Sequence, residues 1–228
     1  MGNTPYEGPV YNPQFWSSAE RGVIRKNNMA VLGNAFDRLR VPPFKKGTDA
    51  SSVIRFKGMS INTKMPTDFE YNLALDFNEE GASILFRDST MFELGNVAFN
   101  MNRTKVHGTE AVAISNSDVA VNVGFEGNGI GTALALGSEK RIPDLLKSVG
   151  HSTARIVYSL YMAQSHLAAA KPGTDARTGW TPTLLTSLGY TDDKEIVGRY
   201  THVDLLDKGH YFVKVWKDME RGINNLVG

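Results

Sequence analysis

A chain of 228 residues, 41% hydrophobic and 21% charged, is long enough for one large domain or two small ones with a real core. It has no cysteine, which excludes disulfides, thiolate nucleophiles and cysteine-based zinc sites and fits a cytoplasmic protein. No apolar run reaches membrane-spanning length, the first thirty residues lack a signal-peptide pattern, and the net charge is only +1, so neither a membrane nor a nucleic-acid partner is expected.

The predicted elements fall into three stretches. Residues 1–16 hold Pro5, Pro9 and Pro13 among Tyr6, Tyr11 and Phe15, a composition suited to an extended arm that docks on something. Such an arm is an interface element for a homo-oligomer or a protein assembly, or it packs back onto its own domain. Residues 17–40 read as a helix: Ser17 or Ser18 can cap it, apolar residues recur at helical spacing, and Pro42-Pro43 ends it. Residues 52–123 read as strands at Ser52–Ile61, Phe69–Phe77, Ala82–Arg87, Asn96–Asn102 and Glu110–Val123, separated by turn signals. Short sequential strands of this kind form an antiparallel meander.

Beyond the strands the texture changes. Ala133–Val149 reads as helix, Ala154–Met162 as a buried strand, Gln164–Ala170 as a helical turn and Thr181–Leu188 as a short helix. Glu195–Val203 and His210–Trp216 alternate like strands. The fold class is therefore α+β: a mixed, largely antiparallel sheet flanked by helices. Residues 1–50 form an N-terminal arm and helix, and residues 51–228 the main domain. Charge is uneven. Residues 1–64 carry ten Lys/Arg against four Asp/Glu, and residues 65–139 carry three against eleven. The basic part suits an acidic partner surface or a solvated helix face.

The richest segment for chemistry is Gly124-Phe125-Glu126-Gly127-Asn128-Gly129-Ile130-Gly131-Thr132-Ala133-Leu134. A strand enters it and a helix leaves it. Glycines let an anion approach the backbone, and the first N–H groups of the following helix have no partner within the helix. Asn128, Gly129, Ile130, Gly131 and Thr132 are thus expected to face a bare, phosphate-sized hollow. The bland alternative is an ordinary turn. The five histidines show no metal-binding spacing, there is no Gly-x-Ser-x-Gly elbow, and no Gly-Lys-Ser/Thr follows the loop, so no metal and no nucleotide hydrolysis are expected.

The segment Glu126–Leu134 resembles the acetyl-coenzyme A loop of the GCN5-related N-acetyltransferases. Trp180-Thr181-Pro182-Thr183-Leu184-Leu185-Thr186-Ser187-Leu188-Gly189-Tyr190 is similar to a later helix of that family, and His210–Asp218 to one of its final strands. The resemblance spans roughly residues 70–218. It implies acetyl-coenzyme A as cofactor, its pyrophosphate held by Asn128, Gly129, Gly131 and Thr132, and an amine, on a small molecule or a protein, as acceptor. It also implies that a backbone N–H near Val121 to Val123 polarises the thioester carbonyl. Glu110 and Asp118 are candidates for the base, and Tyr158 for a proton donor. Asp118 reads equally as a turn residue in Ser115–Asp118, and Tyr158 as core. Two departures stand out. Glu126 occupies a position where the family prefers Arg or Gln, and Thr178 and Leu185 stand where it carries Asn and Tyr. With the arm and the basic helix, they support a second reading, a non-catalytic structural protein such as a phage virion component.

Overall fold

The computed structural model describes residues 17–60, 69–122, 125, 127–163, 182–201, 210–220 and 223–224. Chain order is α1 (Ser18–Arg38), β1 (Ala50–Phe56), β2 (Tyr71–Phe77), β3 (Gly81–Asp88), β4 (Glu93–Val106), β5 (Thr109–Val121), α2 (Ile130–Ser148), β6 (Ile156–Ala163), α3 (Pro182–Ser187), α4 (Lys194–Tyr200), β7 (His210–Asp218) and β8 (Ile223–Asn224). The strands form one sheet in sequential order β1 to β8. Neighbours are antiparallel except β5 and β6, which are parallel and joined through α2. A parallel pair needs such a crossover. The fold is α+β, as the strand and helix patterns predict.

Ser17 sets the start of α1 by a capping box: its hydroxyl accepts from Glu20 N at 3.2 Å, and Glu20 Oε2 accepts from Ser17 N at 2.8 Å. The first turns of α1, residues 18–23, are exposed. Its second half buries Leu32, Ala35 and Phe36 in the main core together with Leu39. The helix assigned by sequence to the N-terminal part thus shares one core with the sheet. That core lies between α1, α2 and one sheet face, filled by Leu73, Leu75, Ile84, Phe86, Val97, Ile114, Val157 and Phe212. Gly137 lets α1 and α2 approach: a Cβ there would lie 2.1 Å from Phe36 Cδ2. On the opposite face a smaller core gathers Ala111, Ile156, Tyr158, Tyr211 and Val213 with Val197 and Tyr200 of α4.

Three expectations change. Residues 57–60 are not strand, so β1 stops short of the predicted Ile61, which itself lies outside the described residues. Residues 115–118 continue β5 and do not form a turn. Residues 195–200 form α4, not a strand, because Asp193 caps them by accepting from Glu195 N at 2.9 Å and Ile196 N at 3.1 Å. Residues 1–16 and Gln164–Ala170 lie outside the described residues.

Candidate functional site at the end of the parallel strands

The sequence leads to the junction between β5 and α2. Asn122 anchors its entry by donating to Leu94 O and, through its side chain, to Glu93 O, both at 3.0 Å. Gly127 and Gly129 both have positive φ, 78° and 89°, which L residues with a Cβ adopt at a cost. Gly129 then caps α2, its carbonyl accepting from Ala133 N at 3.0 Å. Asn128 is 1% exposed, and its Oδ1 accepts from Ile130 N at 3.4 Å. Its Nδ2 is buried without a partner among the described residues.

Helix α1 lies across this loop. Buried Asn28 donates to Asn128 O and Ser60 O, both at 3.1 Å, and accepts from Ser60 N at 2.8 Å. A Cβ on Gly129 would meet Arg25 O at 2.8 Å and Met29 Cγ at 2.9 Å. The bare hollow expected over residues 128–132 is therefore filled at 128 and 129 by α1. Ile130 is 1% exposed because it packs into the main core, its Cγ2 against Gly95 of β4. Gly127 remains exposed, while Gly131 and Thr132, on the first turn of α2, remain half-buried. Gly131 is also close to the sheet, since a Cβ there would lie 3.2 Å from Val121 Cγ2.

The parallel pairing ends before the strands do. β5 and β6 pair only from Ala111–Ser115 with Ile156–Leu160, yet β5 runs on to Val121 and β6 to Ala163. The separation coincides with a bulge. Asn116 faces Phe99 and Asp118 faces Ala98, which leaves Ser117 as the extra residue of β5. A bulge bends its strand and re-aims the residues beyond it. Crevices at the carboxyl ends of parallel strands are favoured ligand positions. Beyond the last pair no pairing between β5 and β6 occurs among the described residues, and strand edges left this way can hydrogen-bond an extended chain that carries amides. The start of α2 nearby favours an anion.

The remaining sequence candidates scatter. Glu110 is exposed at the other end of β5, eleven residues from Val121, or about 36 Å at the usual strand rise. Asp118 holds a register position just past the bulge. Tyr158 lies in the smaller core, its ring 5.0 Å from that of Tyr200, and burial raises its pKa. That is the sheet face opposite α2, so the structure brings neither Glu110 nor Tyr158 to the glycine loop. Val121 is half-buried against the main core. Val123, Glu126 and Thr178 lie outside the described residues. Leu185 is fully buried in the main core.

Sequence reasoning missed a buried polar chain under α2. Trp216 Nε1 donates to Ser159 Oγ at 2.7 Å, and Tyr190 Oη donates to Glu139 Oε1 at 2.6 Å. Lys214 Nζ donates to Glu139 Oε2 at 2.8 Å and sits 3.8 Å from the centroid of the Trp216 ring. Ser159 also hydrogen-bonds Tyr190, which joins the two halves. Burial holds the Glu139 carboxyl above its ordinary pKa, against the opposing pull of Lys214. Burial and then the Glu139 charge push Tyr190 well up. The signal available in sequence was faint: Lys214 stands between Val213 and Val215, but Glu139 stands beside Lys140 and Arg141 and reads as one of a run of solvated charges.

No protein-family model matches this chain, and no curated protein matches it. Among solved structures, an acetyltransferase of the GNAT family from Staphylococcus aureus Mu50 aligns with a TM-score of 0.33 and 8% sequence identity, covering 89% of this chain and 96% of that one. A likeness at this level assigns neither family nor activity. Among the described residues no helix is long and apolar enough to cross a membrane.

Proposed function

We propose that this chain binds an acyl-coenzyme A at the carboxyl ends of β5 and β6 and acts as an acetyltransferase-like protein on an amine. The observation that supports this reading is the separation of the parallel pair after Ser115 and Leu160, at the Ser117 bulge and beside the first turn of α2. The pantetheine arm carries two amides and suits an open strand edge. The pyrophosphate suits the helix start at Gly131 and Thr132. In the reaction the amine nitrogen attacks the thioester carbonyl carbon, the C–S bond breaks, and coenzyme A leaves as a thiolate. On this reading Asp118 is the base, and it takes the proton that the amine gives up. Glu110, at the far end of β5, has no part in this. Leu185 supplies no proton, so the thiolate is protonated by water.

One observation favours a second reading. The α1 backbone at Arg25 fills the space over Gly129, so the glycine there serves helix packing. On this reading the domain is a non-catalytic scaffold of the virion-component kind.

Thermal unfolding with and without about 1 mM acetyl-coenzyme A separates them. Ligand at about a hundred times its dissociation constant stabilises the native state by about 2.7 kcal/mol. For a chain of this size that raises Tm by about 5–10 °C. Thr132→Glu is the companion variant. A carboxylate on the first turn of α2 suits the helix dipole but repels a pyrophosphate, so the variant should fold and lose the shift. An unshifted wild-type Tm overturns the coenzyme reading and leaves the scaffold. A shift that survives in Thr132→Glu removes the phosphate from the α2 terminus.

A further inference from the structure

A cavity of about 560 Å³ opens between α1, α2, α3 and β7, along the flank of α2 from Ala133 to Pro143. Glu139 is ten residues beyond Gly129, or about 15 Å along the helix. The cavity walls are mostly apolar, with Met29, Leu136, Pro143, Leu188 and the Trp216 indole among them. Among the described residues three charged side chains line it: Glu139, Lys140 and Lys214. Lys140 is tied outward to exposed Asp37 at 3.0 Å. Both Glu139 oxygens are occupied, one by Tyr190 and one by Lys214.

Lys214 is the exception. Its side chain keeps 19% exposure, and its ammonium spends one donor on Glu139 while resting on the Trp216 ring. An ammonium has three donors. Burying a Lys–Glu pair contributes little net stability, because desolvation offsets the attraction. Here a cation that spends one of its donors among the described residues lines an apolar cavity. Cavities of this volume, lined by apolar groups and few polar ones, are typical of small-molecule sites.

We infer that this cavity binds a small apolar carboxylate, its hydrocarbon against Leu136, Leu188 and Trp216 and its carboxylate on Lys214. The described lining carries a net charge of +1, and its acid, Glu139, is already paired at both oxygens, which selects against cationic ligands. The site shares no lining residue with the coenzyme reading, which uses Gly131, Thr132 and the ends of β5 and β6.

The test uses octanoate as the probe and 1-octanol as its uncharged counterpart. Replacing Trp16 and Trp180 by Phe leaves Trp216 as the only fluorophore of its kind. Octanoate should change Trp216 emission saturably at submillimolar concentration, and 1-octanol should bind at least tenfold more weakly. The double variant Lys214→Met/Glu139→Gln removes the charge without leaving a buried carboxylate unpaired, and it should weaken octanoate binding at least tenfold. Leu188→Trp, at the rim, should block the cavity by filling it, read by competition against a fluorescent fatty-acid probe. No saturable response up to about 10 mM, equal affinity for octanol, or unchanged octanoate binding in the folded double variant or in Leu188→Trp each overturns the proposal.

Discussion

Gly137→Ala sets two effects of known sign against each other. In a helix interior alanine is favoured over glycine by about 1 kcal/mol, so on propensity alone the variant should be more stable. The structure opposes this. The new Cβ would lie 2.1 Å from Phe36 Cδ2, 2.2 Å from Cγ and 2.5 Å from Cε2. Cγ is fixed close to the α1 backbone, so turning the ring does not clear it. Either Phe36 leaves its rotamer or α1 moves off α2. Overpacking of this kind costs about 1–3 kcal/mol, and three ring atoms well inside contact distance place it at the upper end. The net expectation is a loss of about 2 kcal/mol, or a fall in Tm of about 4–8 °C for a chain of this size. Urea unfolding followed by circular dichroism measures it as a lower midpoint with an unchanged m-value. Phe36→Leu in the same chain should recover part of the loss, a coupling of about 1 kcal/mol or more. If Gly137→Ala matches or exceeds wild-type stability, α1 and α2 do not pack as described.

Two further outcomes are expected. Asp193→Ala removes both acceptor bonds at the start of α4 and should cost about 1 kcal/mol, seen as a Tm about 2–4 °C lower, while Asp193→Asn should keep most of it. Glu139 holds its proton to higher pH in the native state than in the unfolded chain, because burial disfavours its charge. The native state then binds more protons between the two pKa values, so this group's contribution to stability falls as pH rises through that window. Urea midpoints from pH 4 to 8 should show that decline in the wild type and a flatter profile in Glu139→Gln; parallel profiles would refute the assignment.

The meander was legible because strand alternation and turn residues are local. Asn78 illustrates this: its Oδ1 accepts from Glu80 N and Gly81 N and closes the β2–β3 turn within four residues. The capping box at Ser17 is equally local. α4 was misread although its signal was present. Asp193 stands before Ile196, Val197 and Tyr200, a helical spacing that also passes for strand alternation when the cap is overlooked. The glycine loop was legible as a special backbone, but its use was not. Whether a glycine faces a ligand or another helix depends on what arrives from about a hundred residues away, here Arg25 and Asn28. The same holds for the chain through Glu139, Tyr190 and Lys214, whose members are 51 and 75 positions from the carboxylate they share. No local pattern encodes such a meeting.

The seating of α1 on α2 also bears on how the protein is made. Phe36 leaves the ribosome 101 residues before the glycine that receives its ring. At about 5–20 residues per second, the apolar flank of the first helix waits roughly 5–20 s for its partner. During that interval Leu32, Phe36 and Leu39 have only the nascent meander to cover them. The emerging chain is thus a natural client for chaperones that shield apolar helices, and slower translation would lengthen its exposure.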